Sequence, residues 1–184
     1  KERISTIANH ALKGAFQAQL LFRIIHHIQA KKVLELGTSL GITTMYLASS
    51  SSEINCITIE GCPAISKIAK HNFQRLDLQN IKLVNARIEE VLGDILAENG
   101  MQDFVYIDAN HRYEPLLQYF EQVLNFTHAK TVVVLDDIYW SREMEAAWKK
   151  IKTHPQVTAT IDVFYMGIVF FDPVYQKKHY KVHL

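Results

Sequence analysis

Val33-Leu34-Glu35-Leu36-Gly37-Thr38-Ser39-Leu40-Gly41 is the stretch that decides the architecture. A short β-rich apolar run breaks into a turn bracketed by two glycines, and from Ile42 onward the apolar residues recur at helical spacing. A strand therefore passes directly into a helix, which opens a strand-helix-strand unit.

The same alternation extends in both directions. Upstream, residues 16–29 put Leu20, Leu21, Ile24, Ile25 and Ile28 on one helical stripe, and Gly14 separates this helix from an earlier, weaker one. Downstream, strands are expected at 54–59, 81–84, 104–107 and 131–135. Helices are expected at 42–49, from Pro63, at 88–97, from Tyr113, and around Met144, Ala147, Trp148 and Ile151. The runs 157–164 and 167–171 lie too close together for a parallel crossover and must form an antiparallel hairpin. The expected fold is α/β: a Rossmann-like three-layer αβα sandwich on a mostly parallel seven-stranded sheet ending in that hairpin. One domain is expected over 1–184, with N-terminal helices in 1–30, the core in 31–172 and a solvated tail in 173–184.

Twenty Lys and Arg against nineteen Asp and Glu leave a formal charge of +1, which argues against a nucleic acid or an anionic membrane as the main partner. No apolar run approaches the roughly 18 residues of a membrane span, and Lys1-Glu2-Arg3-Ile4 has no signal-peptide plan, so a cytoplasmic protein is expected. The two cysteines, Cys56 and Cys62, have neither ligand spacing nor a small domain to staple and read as thiols.

In such a sheet, ligands bind beyond the carboxyl ends of the strands. Those ends carry Gly37, Thr38, Ser39 and Gly41; Glu60 and Gly61; Asn85, Ala86 and Arg87; Asp108 and His111; and Asp136 with Asp137. A dinucleotide fingerprint would need glycine where Ser39 and Ile42 stand, which weakens a nicotinamide-dependent reading. Glu60, about 23 residues beyond Gly37, is spaced to accept hydrogen bonds from a ribose. An adenosine-bearing ligand without a pyrophosphate fits these residues best.

Four segments, Glu35-Leu-Gly-Thr-Ser-Leu-Gly41, Ile59-Glu60, Asp103-Phe-Val-Tyr-Ile-Asp108-Ala-Asn-His111 and Val134-Leu-Asp136-Asp137, resemble the successive motifs of class I S-adenosyl-methionine-dependent methyltransferases. Within these, the nearest likeness is to the small-molecule O-methyltransferases, including catechol O-methyltransferase and the bacterial sugar O-methyltransferases. The likeness covers about residues 13–172. It implies S-adenosyl-methionine as cofactor, a divalent cation such as magnesium, and a small-molecule methyl acceptor; a homodimer is left open. Gly37, Thr38, Ser39, Gly41 and Thr43 would hold the aminocarboxylate end of the cofactor, in a turn that Glu35 organises by accepting backbone N–H groups. Glu60 and Gly61 would take the ribose, while Cys62, Ala86, Arg87 and Ile88 would lie along the adenine.

Asp108, Asp136 and Asp137 fall on the family's metal positions, with Asp108 also beside the donor. The catechol enzyme has asparagine at the third of these and lysine where His111 stands; the sugar enzymes have a paired Asp-Asp. His111 is then the candidate base beside Asp108, or else a surface or capping residue. Other readings stay open for three more residues. Asp137 caps the helix beginning near Ser141, Arg87 pairs with Glu90, and Trp140 walls the acceptor or fills space with Tyr113, Tyr139, Phe164 and Tyr165. At the level of function, the alternatives are a metal-independent methyltransferase using His111 and a non-catalytic binding module of the same fold.

Overall fold

A computed structural model describes residues 14–183, which fall into two compact units divided between Glu90 and Val91. The earlier helix expected before Gly14 lies outside the described residues.

The first unit contains α1 (Ala15–Ile28), β1 (Lys32–Leu36), α2 (Ile42–Ala48), β2 (Asn55–Ile59), α3 (Pro63–Arg75) and β3 (Ile81–Val84). Its strands are parallel in the order β3-β2-β1. The register sets Leu36 opposite Ile59 and Ile59 opposite Val84, so the three strands end level. Gly37, Glu60 and Asn85 consequently share one rim. β1 and β2 are buried at four of five positions each, which accounts for runs that are apolar apart from Glu35 and Thr58 at those positions. α1 buries Ala18, Leu21 and Ile25, and it stops where Gln29 turns left-handed and the Ala30 N–H reaches back to the Ile25 carbonyl at 3.1 Å. Pro63 opens α3 at a position where the lost N–H has no helical partner anyway.

α4 (Ile88–Asn99) runs across the boundary in sequence. The second unit continues with β4 (Gln102–Ile107), α5 (Tyr113–Leu124), β5 (Thr127–Asp136), α6 (Arg142–Lys152), β6 (Ala159–Asp162), β7 (Met166–Phe170) and β8 (Lys178–Lys181). Its strand order is β4-β5-β7-β6-β8. β4 and β5 are parallel, β7 is antiparallel to both β5 and β6, and β8 is parallel to β6. The carboxyl ends of β4, β5, β6 and β8 therefore point the same way.

The α/β class, the parallel strands and the closing antiparallel hairpin are as expected. Two expectations need correction. The described strands number eight rather than seven, because part of the tail 173–184, though still solvent-exposed, pairs as β8. Its four residues are all exposed, so no apolar alternation marked it. Backbone pairing aligns it, with the Lys178 N–H donating to the Thr158 carbonyl at 3.2 Å and the Val182 N–H to the Asp162 carbonyl at 2.8 Å, and His179 Nδ1 lies 2.9 Å from the Thr160 hydroxyl. The Lys177 ammonium also caps the end of α6, 3.1 Å from the His154 carbonyl. The second correction is to the hairpin strand expected at 157–164, which shrinks to Ala159–Asp162. Phe164 takes a left-handed turn at φ 72°, and the Asp162 carboxylate accepts its N–H at 2.9 Å.

Trp148 on α6 is fully buried beneath Gly167, where an added Cβ would lie 2.7 Å from two of its ring atoms. Gly167→Ala should cost about 1–3 kcal/mol by overpacking, read as a lower denaturant midpoint with an unchanged slope. A variant as stable as the parent would mean that the ring has room to move.

Candidate functional site

Along the rim of the first unit, the turn between β1 and α2 holds three left-handed residues in five: Gly37 at φ 101°, Ser39 at 49° and Gly41 at 78°. The N–H groups of Gly37 and Thr38 both donate to the Ile59 carbonyl at 3.1 Å, which ties the turn to the end of β2. The missing Cβ of Gly41 makes room for protein rather than ligand, since it would fall 2.4 Å from a Phe73 ring carbon and 3.2 Å from Ala69 Cβ.

Glu60 is the fixed point of this rim. Its carboxylate accepts the Ser39 N–H at 2.9 Å on one oxygen and the Cys62 N–H at 2.8 Å on the other. Its backbone is anchored on the other side, with its N–H on the Val84 carbonyl and its own carbonyl accepting Asn85 Nδ2 at 2.6 Å. Each carboxylate oxygen retains acceptor capacity beyond the one N–H it takes. Gly61 comes close to Ala86: a Cβ there would be 3.9 Å from the Ala86 carbonyl oxygen. Arg87, largely exposed, lies 3.9 Å from Glu89 rather than pairing with Glu90. Ile88 opens α4.

Beneath the turn, Glu35 is completely buried and accepts hydroxyl donors, from Thr44 and, at 2.6 Å, from Thr58. The Thr38 and Thr58 hydroxyls are themselves 2.6 Å apart. Thr38 thus belongs to the support of the turn, and Thr43 on the first turn of α2 is nearly as buried. Thr44 and Thr58 escaped sequence reasoning because a threonine inside a strand or helix carries no sign of a buried acid opposite it. Burial, with the Glu35 charge second, pushes the Cys56 thiol well up, whereas the Cys62 thiol is exposed; neither cysteine forms a disulfide.

In the second unit, Asp108 follows β4, Asn110 turns left-handed at φ 61°, and His111 comes next. Asn110 Nδ2 donates to the Tyr119 hydroxyl at 3.1 Å, pinning this loop to α5. Asparagine tolerates the left-handed region, which was the available signal for this overlooked residue. β5 ends at Asp136, which is 1% exposed and paired in register with Met166. Asp137 then departs from strand geometry at φ 51°, in a turn closed by the Trp140 N–H on the Asp137 carbonyl.

One ligand atom each from Asp108, His111 and Asp137 comes within 4.8 Å of the others. His111 Nε2 is 3.5 Å from an Asp108 oxygen, and its ring tilts against Trp140 with centroids 6.5 Å apart. Asp136 is not a member of this group, so two carboxylates and an imidazole stand where the sequence suggested three carboxylates. The helix cap considered for Asp137 is supplied by Ser141, whose hydroxyl accepts the Met144 N–H. Two carboxylates at such a distance repel unless a proton or a cation stands between them, and oxygen ligands with one imidazole suit magnesium or a first-row divalent ion.

Trp140, Phe164 and Tyr165 are all exposed, and Phe164 bridges the edge-on Tyr165 ring and Tyr139, with centroids 5.3 and 5.8 Å away. The Tyr139 hydroxyl donates to Asp162 at 2.5 Å. That hydrogen bond to a carboxylate, with burial second, pushes the phenol up to about 12. Tyr113 lies elsewhere in the sequence, at the start of α5, with its N–H on Glu143.

Comparison with known proteins comes from three sides. A family model described as a methyltransferase domain matches residues 34–138. The chain is 28% identical over 125 residues to a catechol O-methyltransferase of Niastella koreensis, an alignment taking in 66% of this chain and 56% of that protein. It is 29% identical over 131 residues to a catechol O-methyltransferase of Mycobacterium tuberculosis, covering 68% of this chain and 56% of that one. The chain thus spans a little over half the length of these curated relatives. Among solved structures, cofactor-bound Rv0187 from MTB superposes with a TM-score of 0.81 at 20% identity, covering 92% of this chain and 88% of that one. The O-methyltransferase from Bacillus cereus in complex with SAH superposes at 0.75 and 21% identity, covering 91% and 90%. At these identities the structural likeness establishes the fold. No helix among the described residues is long and apolar enough to cross a membrane.

Proposed function

Since this chain belongs to the methyltransferase-domain family, we propose that it transfers the methyl group of S-adenosyl-methionine to an oxygen of a small aromatic acceptor, with a divalent cation assisting. The observation that carries the reading is Glu60: an acid at the end of β2, steadied by the N–H groups of Ser39 and Cys62, with lone pairs left for a ribose. Support for oxygen as the accepting atom comes from the relatives, which are catechol O-methyltransferases.

When bound, S-adenosyl-methionine supplies a methyl on a sulfonium, and a divalent cation supplies a Lewis acid that lowers the pKa of the acceptor hydroxyl. The chain's own residues do the rest. Glu60 accepts the ribose hydroxyls and so fixes the long axis of the donor. The turn 37–41, held on β2 and supported by the buried Glu35-Thr44-Thr58 group, receives the aminocarboxylate. Gly61, Cys62, Ala86, Arg87 and Ile88 flank the adenine. In the second unit, Asp108, His111 and Asp137 hold the cation, and Trp140 lies against the acceptor ring. Asp136, buried at the end of β5, positions the turn that Asp137 opens.

Without a cation, His111 Nε2 would instead take the hydroxyl proton, and Asp108 would stabilise the imidazolium. Product formation in EDTA separates the two: loss of turnover supports the cation, full turnover supports His111 alone. A binding module without catalysis would take up donor and methylate nothing.

The donor assignment is tested by calorimetry with S-adenosyl-homocysteine. Glu60→Ala should weaken binding about 10- to 100-fold, the worth of hydrogen bonds to a charged acceptor. An unaltered dissociation constant would put the ribose elsewhere.

A further inference from the structure

The tail strand β8 brings a cation to the rim of the second unit. Lys181 is its last residue and pairs in register with Asp162, the last residue of β6, so both stand at the same end as Asp136 on β5. The Lys181 ammonium does not extend into solvent away from the sheet but lies over the Tyr139 ring, 5.4 Å from its centroid. Tyr139 is held by its hydrogen bond to Asp162 and its ring meets that of Phe164 at a tilt of 34°. Tyr139 also belongs to the turn that begins at Asp137 and ends at Trp140, the residue whose ring meets His111. A continuous path therefore runs from the Asp108, His111 and Asp137 group through Trp140 and Tyr139 to one ammonium.

Lys181 makes no ion pair among the described residues, unlike Lys149, which is spent on Glu145 at 2.6 Å. Asp162, its cross-strand neighbour, is committed through both oxygens, one to the Tyr139 hydroxyl and the other to the Phe164 N–H. A lysine on an edge strand also discourages pairing with other chains, but that role needs only an outward charge and not one folded over the rim aromatics.

We propose that Lys181 is a specificity-determining residue that selects acceptors carrying an anionic group on a short arm away from the reacting hydroxyl. This rests on the methyl-transfer reading given above and adds the charge of the substrate to it. β8 is three strand spacings from β5, roughly 14 Å, and the lysine side chain spans only part of that distance. The anion it meets is accordingly not on the reacting ring itself but at the end of a substituent.

The test uses the full chain with S-adenosyl-methionine and magnesium, and two acceptors differing only in charge: dihydroxyphenylpropionate and its methyl ester. The parent should favour the acid in kcat/KM by about fivefold, the size of a partly exposed ion pair, and the preference should shrink as salt is added. Lys181→Ala should bring the ratio of the two acceptors near unity, Lys181→Glu should invert it and Lys181→Arg should keep it. Lys178→Ala removes a lysine from the opposite end of the same strand and should leave the ratio as it was. A ratio indifferent to Lys181→Ala and Lys181→Glu, in an enzyme that methylates both acceptors, overturns the assignment of Lys181 alone. A parent that methylates neither overturns the transfer reading and this inference with it.

Discussion

Asp137→Gly is expected to lower turnover by about a hundredfold or more, because it removes a carboxylate from the group that would hold the cation, a contribution of several kcal/mol to such transfers. Glycine is the informative replacement. Asp137 sits at φ 51°, which an alanine would adopt only at a cost of about 1–2 kcal/mol, whereas glycine adopts it freely and leaves the fold intact. Donor affinity, measured with S-adenosyl-homocysteine, should stay within about twofold, since every donor contact proposed for Glu60 and the turn 37–41 is made by the first unit. Asp137→Asn keeps both an oxygen and tolerance of the left-handed backbone, and should retain far more activity than the glycine variant. Asp137→Gly turning over at the parent rate would remove Asp137 from the cation group and leave His111 as the candidate for proton removal.

Gly41→Ala should be the most destabilising small substitution in the first unit. Two costs add: a left-handed φ of 78°, about 1–2 kcal/mol for a residue with a Cβ, and a Cβ forced to 2.4 Å from the Phe73 ring, about 1–3 kcal/mol of overpacking. For a chain of this length the sum lowers the melting temperature by roughly 10 °C. Donor binding should fall as well, because the turn is displaced from β2. Adding Phe73→Leu vacates part of the ring position, so the double variant should recover the packing share of the loss but not the backbone share. If Gly41→Ala melts with the parent, the close approach of Phe73 is relieved by a shift of α3 and the argument from packing fails.

Much of the fold was legible because the relevant interactions are local. The run that became β3 has the bounds expected of it and α5 begins at Tyr113 as expected, since a short β-rich apolar run and an apolar stripe on a helix are both local properties of the sequence. β8 left none: Lys178, His179, Tyr180 and Lys181 are all exposed, and the ladder that aligns them uses backbone groups, which every residue carries alike. The start of β5 was equally unmarked: Thr127 pairs with Gln102 before the register shifts, and residues 127–130 carry no apolar pattern.

The site divides along the same line. From sequence alone came the polar residues at strand ends, the separation between the glycine turn and Glu60, and the acidic character of the ends of β4 and β5, all properties of order along one chain. Only the tertiary structure decided which of those residues meet. A left-handed residue at Asp137 turns one aspartate towards Asp108 and His111 while its neighbour Asp136 remains in the sheet, and Gly41 proves to accommodate Phe73. Such choices depend on single backbone torsions and on side chains arriving from distant elements, and neither leaves a period or a composition to read.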